Sequence, residues 1–198
     1  KDSIFYALFA GLIFGIMGLS GHPQVFVFTL YFLGLYTLLT LIHLLFAKPN
    51  NYYKLKILLY FIVTVAVGLG LNAIQLLPSW EAYRFSMRAQ TDYNFVSGYS
   101  LPPWHLVTFL APDFFGNPFS GIYWGELCFD ELGLYIGILP LFLGLLAILF
   151  NKDNRIKIFG LMIAIIVFLA LGRYFFIYKL IYRLPAMGVF RCPSLWLP

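Results

Sequence analysis

Long apolar stretches without Asp, Glu, Lys or Arg divide the chain, and they constrain its fold more than any other feature of the sequence. A helix needs about 20 apolar residues to cross a hydrocarbon core about 30 Å thick. Backbone groups inside a bilayer must be satisfied within the segment, which favours helices. The stretches cover residues 4–19, 25–46, 57–77, 132–150 and 158–171. This pattern predicts an all-α membrane protein, a polytopic helical bundle with about five transmembrane helices.

The composition agrees with a membrane protein and excludes several classes of function. Hydrophobic residues make up 62% of the chain and charged residues 11%. A water-soluble domain has about half apolar and about a quarter charged residues. The sequence contains no P-loop, no Rossmann glycine pattern, no HExxH and no GxSxG motif, so it supports neither nucleotide hydrolysis nor nucleic-acid binding.

Two short basic loops predict the orientation of the chain. Lysines and arginines gather at residues 48–56 and 151–157, and such loops stay in the cytoplasm. That assignment places the long polar segment 78–131 on the extracytoplasmic side of a multi-pass protein in the cell membrane. We interpret residues 1–198 as one transmembrane domain, with 78–131 as an outer loop that carries short interfacial helices. Both ends have the character of cut ends, so we expect a fragment of a longer chain.

Local residue patterns predict where helices pack, bend and stop. Gly11, Gly15 and Gly18 place small residues on one side of the first span, which favours close packing against another helix. Pro78 is expected to end the third span, and Pro140 to kink the fourth. Residues 174–184 combine apolar pairs with spaced cations and predict a helix lying in the membrane interface.

Arginines in the outer segment are candidate phosphate ligands. Arg84 and Arg88 lie one helical turn apart and would share a face. Guanidinium groups bind phosphate through paired hydrogen bonds. The alternative is an arginine pair that contacts lipid headgroups or nearby carboxylates.

Carboxylates and aromatic residues form a second set of candidates. Asp113 lies in a turn-forming stretch, residues 111–118, and is a candidate proton acceptor. Glu126 follows Tyr123 and Trp124, and rings beside a carboxylate suit either a sugar site or an ordinary membrane interface.

A divalent metal ion is a further possibility at the acidic cluster. Glu126 is followed by Asp130 and Glu131, and carboxylate oxygens are the ligands that such ions take. No spacing in the cluster dictates a metal, so we assign no metal ligands.

The turn after the first span supplies two more candidates. His22 is a candidate for proton handling, and the neighbouring Gln24 for substrate contact. The chain's three histidines are too scattered for a zinc site. Cys128 and Cys192 suit lone thiols, with a disulfide as the less favoured alternative.

Several phrases together resemble the bacterial YfhO-like membrane proteins. They extend in order along nearly the whole chain. The phrases are GHPQ at 21–24, AIQLLPSWE at 73–81, SMR at 86–88, APDFFG at 111–116, YWGE at 123–126, LYIGILPL at 134–141, LGRY at 171–174 and LPAMGVFRCPS at 184–194.

That family is similar to the GT-C group of polytopic glycosyltransferases. The resemblance implies transfer of a sugar from a polyprenyl-phosphate donor to a cell-envelope glycopolymer or lipid, at the extracytoplasmic face. It adds Arg191, within the FRCP phrase, to the expected phosphate contacts. The group's catalytic acid usually follows the first span. The GHPQ turn there has no carboxylate, so the resemblance places the main base upstream of Lys1.

Two other classes of function remain open on the sequence alone. A transporter or flippase of lipid-linked sugar needs the same recognition residues without a base, and a non-catalytic scaffold in the membrane needs neither. Intramembrane charges mark many transport paths. The apolar stretches carry none of these beyond His43, which favours the transferase.

Overall fold

A computed structural model describes residues 3–47, 51–86, 92–126, 129–184, 186–191 and 193–196. Within these ranges no residue forms a β-strand, which confirms the prediction of an all-α chain. The α-helices are α1 (Ser3–Leu19), α2 (Pro23–Ala47), α3 (Asn51–Arg84), α4 (Tyr93–Val96), α5 (Phe129–Leu132), α6 (Ile138–Phe150), α7 (Asn154–Ala170) and α8 (Tyr178–Ile181). Short 3₁₀ helices cover Pro103–Phe109, Pro118–Ser120, Gly172–Tyr174, Met187–Val189 and Pro193–Trp196.

Two helices are long and apolar enough to cross a membrane. They are α2 and α3, with 25 and 34 residues. In each of them only 11% of the most apolar window is buried within the chain, so apolar side chains face outward. A helix that is apolar on all sides and not covered by protein is typical of a lipid-facing helix. These two helices indicate membrane association.

The other three predicted spans form helices but do not meet the length for a span. Helices α1, α6 and α7 have 17, 13 and 17 residues. At 1.5 Å per residue they are about 26, 20 and 26 Å long. A hydrocarbon core is about 30 Å thick. The five-span bundle is therefore not confirmed and stays a prediction.

The chain divides into two compact units, Lys1–Ala89 and Gln90–Pro198. Each is described by itself below. The interpretation of residues 1–198 as one transmembrane domain stays a prediction.

Glycines on α1 allow the first unit to pack closely, as the sequence predicts. A Cβ atom on Gly11 would lie 2.8 Å from the Val67 Cβ, and one on Gly15 would lie 2.8 Å from the Leu71 Cβ. The contacts advance in the same direction along α1 and α3, so these two helices run parallel. The hydroxyl of Thr64 on α3 also donates to the carbonyl oxygen of Ala7 on α1, at 3.1 Å.

Pro78 does not end the third helix, contrary to the prediction. Helix α3 continues through it to Arg84. Proline removes one backbone donor from a helix, and neighbouring turns can carry the helix past that gap. The helix ends instead where the Ser86 hydroxyl and amide both donate to the Tyr83 carbonyl oxygen, at 2.8 and 3.0 Å.

The boundaries of the last two long helices also differ from prediction. Helix α6 begins at Ile138 rather than at Leu132, because Gly137 takes a φ of +97° at its start. Pro140 then lies in the first turn, where its missing N–H is not needed, so it produces no kink. Helix α7 begins at Asn154 within the predicted basic loop, because the Asp153 carboxylate caps it by accepting from the Arg155 N–H at 2.9 Å.

The predicted interfacial helix over residues 174–184 is not continuous. Only Tyr178–Ile181 is α-helical, and a 3₁₀ turn precedes it. Tyr178 points inward and is 2% exposed, whereas Lys179 and Arg183 are exposed. Burial of Tyr178 anchors the segment to its own unit, which the spacing of the cations does not reveal.

In the second unit, the segment that ends at Leu101 packs onto the end of α7. The Leu101 amide donates to the Ala170 carbonyl oxygen at 2.9 Å, and both residues are fully buried. Met162, Met187 and Trp196 are also buried in this unit. This contact joins parts of the chain about 70 residues apart and positions the groups described next.

Candidate functional site

Of the described residues, three predicted site residues belong to the first unit. His22 is exposed in the turn between α1 and α2, and Gln24 is buried in the first turn of α2. Arg84 is exposed at the end of α3, 12 residues beyond Asn72, which packs against Gly18. At 1.5 Å per residue that is about 18 Å along the helix. Arg84 therefore does not join the His22 turn.

Three residues of interest lie outside the described residues. Arg88, the proposed partner of Arg84, is one of them, so the arginine pair stays a prediction. Cys128 and Cys192 are the others, and the choice between thiols and a disulfide stays open.

In the second unit, a tight turn of residues 97–100 is held by Arg173. We call it the serine turn because it begins at Ser97 and ends at Ser100. The Nε and Nη2 atoms of Arg173 donate to the Ser97 carbonyl oxygen at 3.2 and 3.1 Å. Ser100 donates its hydroxyl to the same oxygen at 2.6 Å and accepts from the Arg173 amide at 2.9 Å. One carbonyl oxygen thus gathers three donors and fixes the arginine in place.

Arg191 contacts the same serine turn from the C-terminal part of the chain. Its guanidinium carbon lies 4.0 Å from the Tyr99 ring centroid and 5.4 Å from that of Phe95. A Cβ on Gly98 would lie 2.9 Å from the Arg191 Nε, so a larger residue there would displace the arginine side chain. Stacking on aromatic faces orients a guanidinium while its edge stays accessible. Two cations therefore flank one short turn.

A second feature of this unit is a pocket beside His105. The 3₁₀ helix Pro103–Phe109 places His105 and Thr108 above one another, because side chains three apart eclipse in this geometry. The His105 ring is 1% exposed and stacks on Phe115, with centroids 4.1 Å apart and planes 18° apart. Its Nε2 atom accepts from the Glu126 amide at 3.5 Å.

Burial keeps His105 uncharged at neutral pH. Desolvation lowers the pKa of the imidazole from its ordinary value, because the charged form loses water. The nearby Glu126 carboxylate opposes this effect and is the smaller influence. The neutral ring therefore acts as a hydrogen-bonding group.

The pocket joins the two carboxylate-bearing loops predicted from the sequence. It has a volume of about 200 Å³, including the space at its mouth. Its wall is formed by His105, Thr108, Pro112, Phe115, Tyr123, Phe129, Leu132 and Gly133. The loops pair because the Trp124 amide donates to the Phe115 carbonyl oxygen at 2.9 Å. Asp113 and Glu126, both exposed, thus lie on paired loops at one pocket.

Tyr123 and Trp124, the predicted aromatic residues, have different environments. Tyr123 lines the pocket, and its hydroxyl donates to the Glu126 carbonyl oxygen. Trp124 is 65% exposed and packs edge-on against Phe115, with centroids 4.8 Å apart. An exposed indole beside a pocket offers a flat apolar face to a ligand.

Sequence reasoning missed two residues that the structure places at these features. Arg173 was not among the candidate site residues, although it lies in the LGRY phrase at 171–174. His105 was set aside as one scattered histidine. The signal for it was the Pro-Pro-Trp-His start of a short helix, which no functional motif covers.

The structure offers no metal centre in its described part. Among those residues, no three His, Cys, Asp or Glu side chains come together as ligands. The side chains of Asp130 and Glu131 lie outside the described part, so the proposed divalent metal stays untested.

Comparisons with family models, curated proteins and solved structures give no match to this chain. The functional argument therefore rests on the two features of the second unit, the serine turn and the His105 pocket.

Proposed function

We propose that the chain acts as a membrane glycosyltransferase of the GT-C type. It would transfer a sugar from a polyprenyl-phosphate donor to a cell-envelope glycopolymer or lipid, on the extracytoplasmic face. The observation that carries this proposal is the placement of Arg173 and Arg191 at the serine turn. Membrane association of α2 and α3 supports a lipid-linked substrate.

Paired arginines match the chemistry that a polyprenyl phosphate requires. When the sugar leaves, negative charge increases on the phosphate oxygens, and fixed cations stabilise that charge. Arg173 is fixed by its bonds to Ser97, and Arg191 is oriented by Tyr99. Donors that are already in position need no reorganisation during the reaction.

The carboxylate-bearing loops supply the second half of the mechanism. A carboxylate that accepts the proton of the acceptor hydroxyl makes that oxygen a better nucleophile. Asp113 and Glu126 are the candidates in this unit, and Glu126 is the nearer to His105. Tyr123 and Trp124 present ring faces against which a sugar can stack. His22 and Gln24 stay candidates for acceptor contact in the first unit.

The test is sugar transfer by the full-length protein in proteoliposomes with a radiolabelled polyprenyl-phosphate sugar. Arg191→Ala should lower kcat/KM about 10- to 100-fold, the range for losing hydrogen bonds to a charged group. Arg191→Lys should recover only part of this, because lysine lacks the planar fork. Arg183→Ala is the matched control, since Arg183 is an exposed arginine of the same unit.

The outcomes separate the proposal from its rivals. Transfer that depends on Arg191 and not on Arg183 supports the transferase. Movement of the lipid-linked sugar across the vesicle membrane without transfer would identify a flippase. If the correctly inserted protein shows no sugar transfer and no movement of the lipid-linked sugar, the remaining interpretation is a non-catalytic membrane scaffold.

A further inference from the structure

A buried histidine nitrogen in the His105 pocket lacks the hydrogen bond that such groups normally make. His105 is 1% exposed, and its Nδ1 atom has no hydrogen-bond partner among the residues that the structure describes. At least nine in ten buried polar groups have a partner from protein or water. His105 is also one of the residues that line the pocket.

The contacts of the ring decide which chemistry Nδ1 offers. Nε2 accepts a hydrogen bond from the Glu126 amide, so it carries no proton in the neutral ring. The proton therefore lies on Nδ1, which makes this atom a donor. Burial, which lowers the pKa, holds the ring in that neutral form.

The remaining pocket walls limit what can accept this bond. The Thr108 hydroxyl donates to the His105 carbonyl oxygen at 2.7 Å, and the Tyr123 hydroxyl donates to that of Glu126. The Glu126 carboxylate is close enough to act on the charge of His105, and it disfavours a second anion. Aromatic and aliphatic groups form the other walls. The pocket thus suits an uncharged oxygen, such as a hydroxyl group carried on carbon.

The size of the pocket sets how much of the ligand enters. Inside its mouth the pocket has room for about one water-sized group, far less than a pocket that encloses a whole ligand. One hydroxyl-bearing arm fits, with the rest of the molecule outside against the exposed face of Trp124.

We propose that the His105 pocket binds one hydroxyl group of a neutral sugar through the Nδ1–H of His105. That the hydroxyl belongs to a sugar rests on the proposed transferase function. The donor and the pocket themselves do not depend on it. Asp113 and Glu126, at the rim, would then face the sugar whose position His105 sets.

Two substitutions separate the two nitrogens of the ring. In His105→Asn, the side-chain N–H can occupy the place of Nδ1, so the donor is kept. In His105→Gln, the side-chain oxygen can occupy the place of Nε2, so the contact with the Glu126 amide is kept and the donor is lost. Both are neutral and polar, which makes them matched controls for one another.

The experiment uses the full chain in lipid nanodiscs, labelled with ¹⁵N-histidine. Each variant is titrated with a panel of methyl hexopyranosides. The chain has only three histidines, so the His105 signals can be assigned by substitution. Wild type should show a protonated Nδ1 whose signal shifts on glycoside binding. His105→Asn should bind within about threefold of wild type, and His105→Gln at least tenfold more weakly.

Three results would overturn the inference. They are an unprotonated Nδ1, a His105 signal that no glycoside shifts, and equal glycoside binding by His105→Gln and wild type. A resident water alone would give the second result. If His105→Gln does not fold, monodeoxy glycosides on wild type replace it, because removal of the bound hydroxyl must abolish the shift. Binding without sugar transfer would refute the proposed function and leave this inference standing.

Discussion

Substitution of Gly172 by alanine should release the serine turn from the end of α7. Gly172 has a φ of +50°, and a Cβ there would collide with the Ser100 hydroxyl oxygen and lie 2.8 Å from the Pro193 Cγ. Left-handed backbone costs an L-residue about 1–2 kcal/mol. Overpacking of a tight site costs about 1–3 kcal/mol more. The total loss in local stability is therefore about 2–5 kcal/mol.

Gly121→Ala is the matched control for that prediction. Gly121 also has a positive φ, +72°, but nothing lies within 4 Å of a Cβ placed there. It should lose only the backbone term, about 1–2 kcal/mol. The packing term of about 1–3 kcal/mol, which Gly121→Ala lacks, corresponds to about 5- to 150-fold in an opening equilibrium.

Hydrogen-exchange mass spectrometry of the protein in nanodiscs measures this difference. The Leu101 amide reports directly, because it donates to the Ala170 carbonyl oxygen. Its exchange should accelerate by at least the packing factor in Gly172→Ala and stay close to wild type in Gly121→Ala. Equal exchange of Leu101 in both variants would refute the claim that contact with Ser100 and Pro193 holds the turn.

Three further predictions concern other contacts. Thr64→Val should lower the stability of the first unit by about 0.6 kcal/mol, the average for an interhelical bond such as that from Thr64 on α3 to Ala7 on α1. Thr37→Val, which breaks only a bond within its own helix, is the control. Equal thermal shifts for both variants would contradict the interhelical assignment. Arg173→Lys should cost roughly 1 kcal/mol, since an ammonium cannot reproduce the two guanidinium bonds to one carbonyl, and unchanged exchange at the serine turn would count against it. Burial lowers the pKa of His105 in the folded chain, so the unfolded chain binds this proton first as the pH falls. The contribution of His105 to stability is therefore full above about pH 6.5 and declines from there toward the folded pKa. Melting temperatures between pH 8 and pH 5 should show this decline in wild type and lose it in His105→Gln.

Prediction from sequence succeeds where the cause is local. The first two helices lie within two residues of their predicted ends, because apolar stretches and the Gly-Pro break are local signals. The packing role of Gly11 and Gly15 follows from their spacing along one helix face. Pro78 shows the limit, since a local helix breaker was overridden within a long helix.

The serine turn and the His105 pocket could not be predicted from the sequence, because they depend on contacts between distant residues. Arg173 meets Ser97 across 76 positions of chain, and no periodicity connects the two. His105 has the same letter in the sequence whether it is exposed or buried, and its Nε2 accepts from the Glu126 amide, which lies 21 positions away.

The sequence by itself determined that the chain is helical, apolar on its outer faces and tightly packed along α1. These properties follow from composition and from spacings of three or four residues, which act through the backbone of one helix. Only the tertiary structure decided that Arg173 and Arg191 contact one turn and that His105 is buried beside a pocket, with no partner for Nδ1 among the described residues. Such arrangements depend on which distant segments exclude water together, and that is a property of the folded chain as a whole.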